Sequence, residues 1–82
     1  MRVLEILPPT RKNKKYAARI IWEGKEKLIN FGDVRYAQYK DTTPLKLYKH
    51  LDHNDWDRKQ RYLARHKHDN GPAGILAREF LW

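Results

Sequence analysis

Cysteine and serine are both absent from this chain. Without a thiol there is no disulfide, no thiolate metal ligand and no cysteine nucleophile. Without serine the usual hydroxyl triads cannot be assembled. Thr10, Thr42 and Thr43 are the remaining aliphatic hydroxyls, and none stands at the amino terminus or beside a histidine. Long apolar runs are missing as well. No stretch approaches the roughly 18 residues needed to cross a bilayer, and Met1 to Leu7 is too short for the apolar region of a signal peptide. Gly32, Gly71 and Gly74 do not fall at the spacing of a phosphate-binding loop. These absences predict a protein that is not an enzyme, has no cofactor or small-molecule substrate, does not span a membrane and is not secreted.

Acidic residues are also few. Eighteen Lys and Arg face ten Asp and Glu, a formal net charge of +8. Such a surplus repels itself and raises affinity for polyanions, of which nucleic acid is the commonest. The 82 residues are enough for one domain, read as a single unit over 1–82, with a thin core. Trp22, Trp56, Trp82 and the tyrosines must supply much of its apolar area.

The amino-terminal half carries strand signals. Val3 to Leu7 is β-branched and apolar and ends at Pro8-Pro9, as expected of an edge strand. After a basic loop with Arg11, Lys12, Lys14 and Lys15, the run Tyr16 to Trp22 alternates, placing Tyr16, Ala18, Ile20 and Trp22 on one face. Glu23-Gly24-Lys25 reads as a turn and Lys27 to Phe31 as the returning strand. Asp33 to Asp41 fits either an irregular segment or a third strand. Thr43-Pro44 resembles a helix start, with Leu45, Leu47, Tyr48 and Leu51 following. A further helix opens at Asn54 or Asp55 and carries Trp56, Lys59, Tyr62, Leu63 and His66 on one side, closing at Asn70-Gly71-Pro72. Ala73 to Trp82 completes the chain as a short helix. Strands first and helices second predict an α+β fold: a small antiparallel hairpin or sheet followed by two or three short helices on one face.

Two side-chain groups invite a chemical reading. His50, His53, His66 and His68, with Asp52, Asp55 and Asp69, permit a metal-dependent nuclease to be drawn, but spacings of two and three without cysteine occur on many helix surfaces. The expectation is therefore no metal. The stretch Arg58-Lys59-Gln60-Arg61-Tyr62-Leu63-Ala64-Arg65-His66-Lys67-His68 is more informative. On a helix Arg58, Arg61 and Arg65 fall at i, i+3 and i+7 and form one cationic ridge. Guanidinium groups present planar forks of donors that match phosphate oxygens. The expected polyanion contacts are thus Arg58, Lys59, Arg61, Arg65, His66 and Lys67, flanked by Arg11, Lys12, Lys14 and Lys15. Tyr62, Phe80, Leu81 and Trp82 are assigned to the core, so contact is expected through phosphates with little sequence specificity.

The same residues carry a resemblance. Lys14-Lys15-Tyr16-Ala17-Ala18, Gly24-Lys25, Phe31-Gly32, Tyr39-Lys40-Asp41, the block Arg58 to His66, Ala73-Gly74-Ile75-Leu76 and Leu81-Trp82 follow one pattern. The chain resembles a family of small basic proteins encoded mainly by large double-stranded DNA viruses of algae and protists, with relatives in some phages. The Tyr-x-x-Arg-His block is its most specific part. Two departures stand out: the polar loop before Ala73 is short, and Ala77 occupies a position where the family usually has serine. No activity comes with the family. The resemblance implies a viral protein, found in the virion or the infected cell, with nucleic acid or other virion proteins as partners.

Overall fold

A computed structural model describes all 82 residues, Met1–Trp82. Three strands, β1 (Arg2–Leu7), β2 (Lys14–Trp22) and β3 (Lys25–Asp33), form an antiparallel sheet in the order β1-β2-β3. The β2–β3 hairpin turns on two residues, Glu23 and Gly24, both with positive φ (52° and 79°), so that Trp22 pairs directly with Lys25. That turn follows the right-handed twist of the strands it joins. β1 runs along the other side of β2, its register shifting between Val3 and Glu5. The sheet is followed by α1 (Trp56–His66) and α2 (Pro72–Phe80). The expected α+β architecture is present, with strands extending one to two residues beyond their apolar cores.

Alternation along β2 builds the core. Tyr16, Ala18 and Ile20 are buried, joined by Phe31 of β3 and by Leu76 and Leu81 from the carboxyl-terminal segment. α2 packs on β3. Gly32 is the close point of this packing: a Cβ there would lie 3.0 Å from both Leu81 Cδ1 and Lys15 Cβ, and its φ of 76° already excludes most side chains.

The helix expected from Thr43-Pro44 does not form. That segment is a series of bends ending in a single 3-10 turn, Lys49–Leu51. The reason lies in competition for its amides. The Asp41 carboxylate accepts from the backbone N–H of Thr43 (2.9 Å) and of Tyr48 (3.2 Å), and the Tyr16 hydroxyl accepts from that of Leu47 (2.8 Å). Lys46, at φ 51°, breaks any helical continuation. Leu45 and Leu47, whose spacing suggested a buried stripe, stand exposed. Residues 34–41 are irregular and form no further strand, tied back by a parallel bridge between Gln38 and Asp52.

A second correction concerns Asn70-Gly71-Pro72. α1 already ends at His66; Gly71 is the N-cap of α2 and Pro72 its first residue. Proline suits that position because the first helical N–H has no intrahelical acceptor.

Candidate functional site

α1 begins where Asp55 accepts the backbone N–H of Arg58 (3.2 Å), and its acid in the first turn (Asp57) and bases in the last (Arg65, His66) complement the helix dipole. It contains no glycine, proline or β-branched residue. None of its residues is fully buried. Its attachment is aromatic: Tyr62 stacks parallel on Trp82 with ring centroids 4.1 Å apart, and His66 stacks on Tyr62 at 4.2 Å. Burial pushes the Tyr62 hydroxyl up from its ordinary pKa. The Arg78 guanidinium donates to the His66 carbonyl (2.8 Å) and ties the end of α1 to α2.

With that stripe turned inward, Arg58, Arg61 and Arg65 are left exposed. No carboxylate oxygen lies within 4.0 Å of any of their guanidinium groups; the ion pairs of the molecule are Arg19 with Glu5 and Glu26, and Arg35 with Asp33. Arg58, Tyr62, Arg65 and His66 form one wall of an open cleft of about 550 Å³. The rest of the lining comes from the start of β2 (Lys14, Lys15), the end of β3 with Asp33, the loop at Tyr36, Asp69, and α2 with Ala73, Gly74 and Ala77. Lys14 borders this cleft and also a smaller depression shared with Arg11.

The cationic residues named from the sequence therefore divide. Lys14, Arg58, Arg65 and His66 converge on the cleft. Arg61 and Lys67 are exposed outside it, as are Arg11 and Lys12 on the loop before β2. Lys59 is half-buried, its ammonium 4.5 Å from the centre of the Tyr39 ring and 5.4 Å from that of Trp56. Lys15 is a correction. It is 2% exposed and donates to the Tyr36 carbonyl (2.8 Å) and to Gln38 Oε1, so its ammonium fastens the 33–41 segment and does not face solvent. Burial lowers its pKa, a shift that Asp33, Asp41 and Asp52 partly oppose. Lys15→Met is expected to leave duplex DNA affinity unchanged while costing about 1–3 kcal/mol of stability in urea unfolding, because Gln38 Oε1 is left buried without its donor. A parallel loss of DNA affinity at full folding would return Lys15 to the interface.

Two acids, Asp33 and Asp69, line the cleft as well. Arg35 grips Asp33 through both carboxylate oxygens (3.0 and 2.6 Å) and holds its carboxyl well below the usual range. Asp69 lies against Gly74, where a Cβ would come within 2.4 Å of its carboxylate, and 4.0 Å from His66 Nδ1. No three His, Asp or Glu side chains converge at metal-binding distance. His53 packs 5.2 Å from Trp82 and accepts the Asp55 N–H at Nδ1 (2.9 Å), leaving Nε2 buried without a partner. Burial, and then the Arg58 charge, lower its pKa.

Fold and site together define a small basic α+β domain whose main cleft is lined by Lys14, Arg58 and Arg65, none within 4.0 Å of a carboxylate oxygen, together with the acids Asp33 and Asp69. No family model matches the chain, and no curated protein or solved structure matches it significantly. No helix is long and apolar enough to cross a membrane.

Sequence reasoning missed Tyr36, Ala73 and Gly74 as cleft residues. Only Gly74 carried a signal: a glycine inside an otherwise helical pattern marks a close approach.

Proposed function

We propose that this protein is a non-enzymatic, phosphate-binding basic protein of a virus, associated with the virion at its inner surface or beside the packaged genome. The observation that carries the binding half is the α1 ridge: three exposed guanidinium groups along one helix, each without a carboxylate partner. Successive turns of the helix set Arg58 and Arg65 about 10 Å apart along its axis, and Lys14 lines the same cleft. Contacts of this kind position a nucleic-acid backbone without reading its sequence. The viral setting rests on the sequence pattern from Lys14 to Trp82. An acidic virion protein would satisfy the same charges, and a protein acting in replication or transcription would bind DNA without entering the particle.

The test is the salt dependence of binding to a random-sequence duplex, read by fluorescence anisotropy. Four contacts from Lys14, Arg58, Arg61 and Arg65, at a slope of about −0.9 each, lower affinity about 100-fold between roughly 50 and 200 mM salt. Binding that ignores salt, or no binding at micromolar protein, removes nucleic acid as the partner. Mass spectrometry of washed particles distinguishes a virion component from a protein confined to the infected cell.

A further inference from the structure

Apolar side chains exposed singly are ordinary on a small protein. Leu45 and Leu47 are a pair: they stand next but one to each other, 37% and 51% exposed, on a segment whose residues 44–47 all face solvent. The backbone fixes them there. The buried Asp41 carboxylate accepts the Thr43 and Tyr48 amides on either side of the pair, and the Thr43 hydroxyl accepts the Lys46 amide (3.2 Å). The Tyr16 hydroxyl accepts the amide of Leu47 itself (2.8 Å). Between the leucines Lys46 has a φ of 51°, a left-handed conformation that a lysine keeps only when its surroundings impose it. Without these ties the loop would gain by turning its leucines away from water. Buried polar groups instead hold them out.

The charge around the pair is of one sign. From Thr42 to Leu51 there is no acid, while Lys46 and Lys49 are exposed and neither ammonium lies within 4.0 Å of a carboxylate oxygen. The two flanking acids are committed elsewhere: Asp41 is buried, and Asp52 accepts from the Gln38 side chain (2.7 Å) and the Asp41 amide (2.8 Å). A partner for this surface carries negative charge at its face and apolar material directly beneath. Duplex DNA offers the charge without the apolar depth. An anionic lipid surface offers both, and lysine suits it, because its ammonium stays among the headgroups while its stem lies deeper. An acidic protein would have to supply a slot matched to the loop, whereas lipid needs no matched shape.

We infer that residues 44–49 form a membrane-contact loop: the protein lies on an anionic lipid surface with Leu45 and Leu47 at the acyl boundary and Lys46 and Lys49 among the headgroup phosphates. The contact is peripheral and reversible, its strength set by the apolar area inserted and by the attraction of charge. It goes beyond the nucleic-acid reading and does not rest on it, since none of these residues belongs to α1 or lines the cleft.

The experiment is flotation of the full chain with vesicles of phosphatidylcholine alone and of phosphatidylcholine mixed with phosphatidylserine, for wild type and Leu45→Ser/Leu47→Ser. The substitution leaves every charge in place, so simple adsorption of a +8 protein on negative lipid predicts no difference. The loop predicts that the variant binds mixed vesicles at least about 10-fold more weakly than wild type, with neither held by the neutral lipid. The chain has no cysteine, so Leu47→Cys carries a single environment-sensitive fluorophore. Its emission should shift to the blue on mixed vesicles, and the same label at Lys25→Cys, on the hairpin turn, should not. Equal binding of wild type and a serine variant shown by circular dichroism to be folded overturns the loop and leaves only general attraction of charge. No binding of wild type to mixed vesicles, or no shift at position 47, overturns it too. If vesicles fail while an acidic, leucine-containing helical peptide binds in a leucine-dependent way, the loop faces a protein and the lipid contact is overturned. Duplex affinity, measured in parallel, should be equal in wild type and the serine variant; a fall would place the loop in the nucleic-acid interface and overturn the inference.

Discussion

Asp41→Ala is expected to leave much of the protein unfolded in plain buffer. Asp41 is 1% exposed, and its two oxygens accept four hydrogen bonds: from the Thr43 amide and hydroxyl, the Tyr48 amide and the Tyr16 hydroxyl. Burial alone would raise its pKa, but these donors reverse the shift and hold it below the ordinary carboxylate value. The Tyr16 hydroxyl, itself buried and donating to a carboxylate, is pushed up to about 12. Removing the carboxylate strands four donors at once. Each buried orphan costs about 1–3 kcal/mol, and loss of a buried charged partner typically costs about 3–5 kcal/mol in all. A domain of 82 residues has about 4–12 kcal/mol to lose. Asp41→Asn, which keeps the shape and one acceptor, should fall between alanine and wild type. Urea unfolding followed by near-ultraviolet circular dichroism reads the order. A midpoint for Asp41→Ala equal to wild type would mean that the loop over residues 41–48 is not held this way.

Arg58→Gln/Arg61→Gln/Arg65→Gln is expected to reduce duplex affinity roughly 100- to 1000-fold near 0.1 M salt and to flatten the salt slope by about 2.7, three contacts at about 0.9 each. Glutamine keeps nearly the same helix propensity as arginine, and the three side chains are exposed, so the fold should survive with less self-repulsion. Arg19→Gln removes one positive charge from a residue already paired with Glu5 (3.1 Å) and Glu26 (3.0 Å) and serves as the control. It should leave binding unchanged. Equal losses in the triple variant and the control would mean that net charge, and not the ridge, determines affinity.

The sheet was legible because its signals are local. Alternation of Tyr16, Ala18 and Ile20 and the Glu23-Gly24 turn specify the hairpin without help from the rest of the chain. α1 was legible for the same reason: an Asp cap followed by good helix formers. The segment 33–52 was not. Its conformation is set by side chains that take backbone groups: Asp41 the amides of Thr43 and Tyr48, Tyr16 from thirty-one residues away that of Leu47, and Lys15 the Tyr36 carbonyl. Lys15 was misplaced as well. Read as part of the basic loop before the hairpin, it was expected at the surface, whereas it lies within β2 and Tyr36 and Gln38 accept from its ammonium. The cationic ridge could be read from spacing alone, but the cleft beside it depends on where α2 and the 33–37 segment come to rest. Gly74 hinted at a close approach without saying to what.

α1 holds on through the Tyr62–Trp82 stack, the contacts of Trp56 and Lys59 with the Tyr39 ring and one guanidinium–carbonyl bond, and it commits no side chain wholly to the interior. Eleven residues are too few for a helix to persist alone in water. Its amides are therefore the ones that solvent protons should reach soonest, well before those of β2 open. Whatever anion settles along this helix also fastens it, so occupancy and local order rise together, and the sheet beneath remains a fixed platform throughout.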